Sequence, residues 1–97
     1  MSEGKASNWT FLTNHSHVLL CLAKDPYMRI RDLSASVGIT ERAVQRILAE
    51  LAEGDFIDKT KDGRRNIYKL KADKALKHPV ESHKQVKDLI NLIYDGK

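Results

Sequence analysis

The chain has 97 residues, 17 of them Lys or Arg against 13 Asp or Glu, for a formal charge of +4. That length suits one domain, and the longest purely apolar run, Val18 to Ala23, is six residues, where a membrane-spanning helix needs about 20. A domain this small buries only roughly 60 to 65% of the surface its unfolded chain exposes, so a core shared between two copies is expected.

Residues 1–8 are small and polar, contain Gly4 and have no periodicity, which predicts a flexible tail ahead of a single domain over residues 9–97. No basic, apolar and small series marks a secretory signal at the N-terminus, and a cytoplasmic location is expected. Trp9, Phe11 and Leu12 form an apolar leader. Val18, Leu19 and Leu22 then recur at helical spacing from Thr13 to Lys24, with Thr13 or Asn14 as N-cap and Pro26 closing the segment. Cys21 lies inside this run; alone, it makes no internal disulfide and reads as a small buried hydrophobe in a reducing compartment.

A second helix is predicted from Ile30 to Val37, burying Ile30, Leu33 and Val37 and ending at Gly38, which tolerates positive φ. The third follows at once, with Thr40 as N-cap and Glu41 in the first turn, where the helix dipole favours negative charge. Val44, Ile47, Leu48 and Leu51 form its buried stripe, leaving Glu41, Arg42, Gln45, Arg46 and Ala49 on the other side before Gly54 ends it.

After Gly54 the period changes from helical to alternating. Phe56–Lys59 and Asn66–Leu70 read as two strands around Asp62-Gly63, a hairpin with a six-residue loop. Lys71 to Lys77 reads as a linker. His78-Pro79 suits a helix start, and Val86, Leu89, Ile90 and Ile93, widened by Leu92, predict a terminal helix over 79–95. Its broad apolar face makes Val86, Leu89, Ile90, Leu92 and Ile93 the candidate dimerisation residues.

Charge is uneven along this layout. From Phe56 to His78, eight Lys and Arg stand against three Asp, a net of +5, while the segments on either side nearly cancel. Long cations on a projecting hairpin suit phosphates and a narrow minor groove. Between Ile30 and Leu51, a small residue (Ser34 or Ala35), the turn at Gly38, the plug Ile39 and the anchors Val44 and Ile47 meet the packing needs of a helix-turn-helix. Arg42, Gln45 and Arg46 are then placed to read base edges in a major groove. Thr40 and Arg31 are candidate phosphate contacts near helix N-termini, as are Lys61, Arg64, Arg65 and Asn66 on the hairpin. Glu41 reads as a helix-terminal charge before a cytosine acceptor, and Tyr68 as packing beneath the hairpin.

Three stretches carry a family resemblance: Ile30-Arg31-Asp32-Leu33-Ser34, Val37-Gly38-Ile39-Thr40-Glu41-Arg42-Ala43-Val44, and Gly63-Arg64-Arg65-Asn66-Ile67-Tyr68. With the order helices, basic wing, terminal helix, the chain from His15 to Ile93, about four fifths of it, resembles winged helix-turn-helix transcriptional regulators of the MarR and ArsR type. Ser34 departs from the usual Ala and is small enough to be tolerated. The resemblance implies a mainly α fold with a small β-hairpin: a helix-turn-helix near 30–53, a wing near 56–70, and a C-terminal dimerisation helix. It further implies a homodimer on double-stranded DNA, with the third helix in the major groove and the wing on the backbone or minor groove.

Two other readings remain, a protein-interaction module and an RNA-binding module; the first usually loses the basic wing, and the second calls for exposed rings, for which only Trp9 and Tyr27 qualify. Neither catalytic residues nor a cofactor is expected, because no nucleophile–base pair, glycine-rich phosphate loop or paired carboxylates occur. Nor is a metal, since Cys21 is single, His15 and His17 point apart on a helix, and His78 and His83 share a face only loosely. No residue set supports a small-molecule effector.

Overall fold

The apolar stripes of the first half place three helices where their spacing predicts. In the computed structural model, which describes residues 9–95, α1 spans Asn14–Lys24, α2 Ile30–Val37 and α3 Glu41–Glu53; the tail expected at 1–8 lies outside the described residues. Thr13 and Thr40 cap α1 and α3 by accepting from the Ser16 and Ala43 amides, each satisfying a donor that a helix's first turn leaves unpaired. At the start of α2 the Asp32 carboxylate accepts from the Arg29 amide instead. Val18, Leu22, Leu33, Val44 and Ile47 are almost wholly buried where the three helices meet, with Phe56, Ile57 and Tyr68 from the following hairpin completing the core.

Between α2 and α3, Gly38 adopts φ +85° and its amide donates to the Ser34 carbonyl at 2.9 Å. Ser34 does more than fit: its hydroxyl donates to the Ile39 carbonyl, bridging the turn from the inside. A Cβ built on Gly38 meets nothing within 4 Å, so Gly38→Ala carries only the left-handed backbone penalty, about 1–2 kcal/mol. Urea unfolding should register that loss with an unchanged slope.

The hairpin is longer and its turn tighter than the sequence suggests. Strand β1 covers Ile57–Asp62 and β2 Arg65–Leu70, antiparallel, with Ile57 opposite Leu70 and Asp62 opposite Arg65. Only Gly63 and Arg64 remain between the strands, so the six-residue loop is corrected to two. Gly63 has φ +67° and Arg64 does not share the positive φ, the sign pattern of a II′ turn, whose twist matches its strands. Thr60, Lys61 and Asp62 lack the apolar alternation of a half-buried strand. They pair regardless, because a hairpin reaching into solvent needs only its backbone ladder.

The C-terminal region departs most from expectation. Helix α4 covers only Val86–Ile90 and runs into a π-helical turn, Asn91–Asp95; residues 79–85 are not helical. Lys71–Lys77 is no free linker either. Its backbone pairs with the segment after it: the Leu76 amide donates to Lys84, Val86 to Lys74 and Lys87 to Ala72, all at 2.9 Å. The reason lies at positions 79, 82 and 83, one and two turns before Val86, which hold Pro, Ser and His. Nothing apolar at that spacing holds a helix on the core, so the chain uses its amides across the loop and starts α4 at Gln85, whose amide the Asp88 carboxylate accepts at 2.8 Å.

Candidate nucleic-acid interface

Because α3 buries Val44, Ile47, Leu48 and Leu51, its other side must face out, and Thr40, Glu41, Arg42, Gln45 and Arg46 are all exposed there. Among the described residues neither Arg42 nor Arg46 enters an ion pair. Two guanidiniums and one amide are therefore available on one helical face with their donors uncommitted to carboxylates, the chemistry that bidentate recognition of guanine and adenine edges requires. Thr40 Oγ1 accepts from the Ala43 amide at 3.0 Å, which leaves its proton to donate outward.

At the far end of α3, the His15 ring lies 2.6 Å from the Glu50 carboxylate, tying α1 to α3. That hydrogen bond is the main cause of a Glu50 pKa below the usual carboxylate value, against a smaller opposing effect of burial.

The structure sorts the cations of the basic segment into two groups. Lys71 sits 3.2 Å from Asp55 and 3.4 Å from Asp58, and Lys74 3.8 Å from Asp55. The hydrogen bond to Asp55, ahead of the charges of both carboxylates, raises the Lys71 pKa. These two lysines close the base of the hairpin and are neutralised locally. Towards the tip, Lys59, Lys61 and Arg64 are exposed and form no ion pair among the described residues. The sequence count of +5 thus overstates the charge at the base and places what remains at the tip.

Arg64, Arg65 and Asn66 line one cleft of about 370 Å³ with Met28, Arg29, Ile30 and Tyr68. The start of α2 and the outer wing are thereby brought side by side, and Arg29, which sequence reasoning passed over, joins the set; its signal was the Arg29-x-Arg31 spacing astride a helix start. Arg31 is exposed on the first turn of α2. Asn66 is half-buried and its Oδ1 has no hydrogen-bond partner. Tyr68 packs beneath the wing as expected, buried, and that burial raises its phenol pKa against a smaller lowering effect of the nearby Asn66 amide. Arg65 is not free: its Nη2 donates to the Tyr27 carbonyl at 2.6 Å and its guanidinium lies 5.8 Å from the Tyr27 ring centre.

The candidate dimer residues divide. Val86 is 1% exposed within its own chain's core and so is not available to a partner as the sequence suggests, while Ile90 packs against that core and is half-buried. Leu89 is half-buried, while Leu92 and Ile93 are exposed. Tyr94 folds back on α1, its hydroxyl donating to the Leu20 carbonyl at 2.7 Å. Cys21 is half-buried, with its thiol pKa pushed up by burial. Among the described residues no group of three or more His, Cys, Asp and Glu is placed to hold a metal ion, and no helix is long and apolar enough to cross a membrane.

Comparison with known proteins agrees with this geometry. Residues 12–58 match the sequence profile of a family described as winged helix-turn-helix DNA-binding. Among solved structures, the fold is similar to a zinc-responsive MarR family member, ZitR of Lactococcus lactis, with a TM-score of 0.51, 23% identity, 72% of this chain covered and 49% of that one. A second similar structure is the zinc-dependent MarR family transcriptional regulator AdcR in its Zn(II)-bound state, with a TM-score of 0.48, 21% identity, and 66% and 46% of the two chains covered. The chain spans about half the length of these two regulators. No curated protein matches the sequence. The matched family is a DNA-binding one, not a catalytic one.

Proposed function

We propose that this winged helix-turn-helix DNA-binding domain acts as a sequence-specific transcriptional regulator on double-stranded DNA, as a homodimer. In this reading α3 enters the major groove, where Arg42, Gln45 and Arg46 read base edges and Glu41 sits at the helix start. Thr40 and Arg31 hold phosphates beside it, and the wing, through Lys61, Arg64, Arg65 and Asn66, lies on the backbone or in the minor groove. The observation that carries the reading is the outer face of α3: four polar or charged side chains, Glu41, Arg42, Gln45 and Arg46, exposed along a helix whose opposite side is fixed in the core.

Selection of bound duplexes from a random pool tests it. A single enriched motif is the expected result, and uniform recovery of all sequences would remove base reading from the proposal. For the wing, Arg64→Ala should weaken binding to every duplex alike and reduce the slope of log K against log salt by about 0.9, one phosphate contact; salt-titrated anisotropy measures it.

The homodimer rests on Leu92 and Ile93, exposed in the π-helical turn Asn91–Asp95, with Leu89 beside them. Light scattering should find a two-chain mass that halves in the Leu89→Asp, Leu92→Asp double variant. A parent already monomeric at micromolar concentration sinks this part. Two α3 helices in such a dimer would sit about 34–36 Å apart, one DNA turn, and the selected motif would be pseudo-palindromic.

A further inference from the structure

A two-stranded hairpin is a weak beam, since two strands alone are marginal in water and depend on packing against a body. Here the body holds the root well. Ile57 and Tyr68 are buried, and the Tyr68 amide donates to the Pro26 carbonyl at 3.4 Å. Beyond Tyr68 only Asn66 and Ile67 are half-buried, Thr60, Lys61 and Asp62 being exposed, and Arg65 lies three residues further out, roughly 10 Å along an extended strand. At that outer point stands one more link to the body, the Arg65 hydrogen bond to Tyr27 with the guanidinium against the Tyr27 ring. The acceptor is itself fixed: the Tyr27 amide donates to Asp25 Oδ1 at 3.0 Å and the Met28 amide to the Asp25 carbonyl at 3.2 Å, which locks the turn between α1 and α2.

We propose that Arg65 is a positioning residue that clamps the outer wing to the α1–α2 turn through Tyr27 and so sets where Arg64 and Lys61 lie, and that it is not itself a phosphate ligand. The proposal rests on the DNA-binding reading above and corrects it at one residue: Arg65, counted there among the wing's DNA contacts, holds the wing in place while Arg64 and Lys61 meet the DNA. Arg64, at the tip, is exposed and forms no ion pair among the described residues. Arg65 has a neutral carbonyl and a ring as partners, and reaching a phosphate would require leaving both. A guanidinium suits the clamp because its planar fork can donate in plane while its face lies on an aromatic ring; an ammonium of equal charge can make either contact but has no plane with which to hold both at once.

Two measurements on the full chain separate the tasks. Salt-titrated anisotropy on random duplex DNA should find Arg65→Ala about two- to tenfold weaker, the cost of ordering a loosened wing on binding, with an unchanged salt slope, whereas Arg64→Ala loses about 0.9. Arg65→Lys should fail to restore affinity, and adding Tyr27→Ala to Arg65→Ala should cost nothing further. A salt slope that falls by about 0.9 in Arg65→Ala, together with full rescue by lysine, would overturn the clamp and make Arg65 a phosphate ligand.

The second measurement uses no DNA. Backbone ¹⁵N relaxation of the free protein should find the Gly63 and Arg64 amides near rigid values in the parent and in Arg64→Ala, below an order parameter of about 0.6 in Arg65→Ala, and in between in Tyr27→Ala, which removes the ring but keeps the carbonyl acceptor. Unchanged relaxation in both of those variants refutes the clamp. Because this readout is independent of any ligand, a protein that binds no DNA would defeat the functional reading and leave the clamp to be judged by relaxation alone.

Discussion

Arg42→Ala and Arg46→Ala are each expected to weaken binding to the selected duplex by about 1–3 kcal/mol, roughly 5- to 150-fold, while leaving random-sequence affinity much less affected. Each guanidinium stands on the exposed face of α3, and among the described residues neither forms an ion pair. Neither has to break an ion pair with a described residue before meeting a base, so its loss registers in discrimination. The signature is a relaxed preference at one base position per half-site, measured by repeating the selection with each variant. Equal losses on selected and random duplexes would instead make both residues phosphate contacts, and base reading would have to rest on Gln45. The contrast with Arg64→Ala is the useful part, since a wing cation changes affinity and salt slope together and leaves the preferred motif intact.

Val86→Asp is expected to destabilise the chain by about 3–5 kcal/mol, because it places an unpaired carboxylate in a site that is 1% exposed. For a domain near 100 residues that lowers the melting midpoint by more than about 10 °C, readable by circular dichroism. Leu92→Asp, at a position 74% exposed, should leave the fold of each chain intact and act only on association. The pair tests where the subunit boundary runs. If Val86 stood at a seam between copies, its charged variant would separate them without unfolding either. Burial in the core cluster of its own chain predicts the opposite order of effects.

The sequence located the three helices because each of their cues is local. Thr13, Thr40 and Gly38 act within one turn of where they stand, and the stripe of Val44, Ile47, Leu48 and Leu51 has the period of a helix. Once those residues face inward, Arg42, Gln45 and Arg46 have no other place than the outside, so the candidate reading face followed from periodicity alone. The wing's existence was equally legible from Asp62-Gly63 between two β-branched runs. Its turn length was not, since Thr60, Lys61 and Asp62 carry no apolar alternation and pair only through backbone atoms that every residue has.

What the tertiary structure alone decided are the contacts between residues far apart in the chain. Val86, Leu89, Ile90 and Ile93 repeat as a helical face whether a partner or the chain's own core covers them; the fold-back of residues 71–87 sends Val86 inside and leaves Leu92 out. Two adjacent arginines, Arg64 and Arg65, are indistinguishable as sequence. The turn puts Arg64 at the tip, while Arg65, the first residue of β2, reaches the carbonyl of Tyr27, 38 positions earlier in the chain. The charge of +4 behaves likewise. Its total follows from composition, but the neutralisation of Lys71 and Lys74 by Asp55 and Asp58 depends on a hairpin closing, because electrostatic pairing is set by distance in space and composition has none.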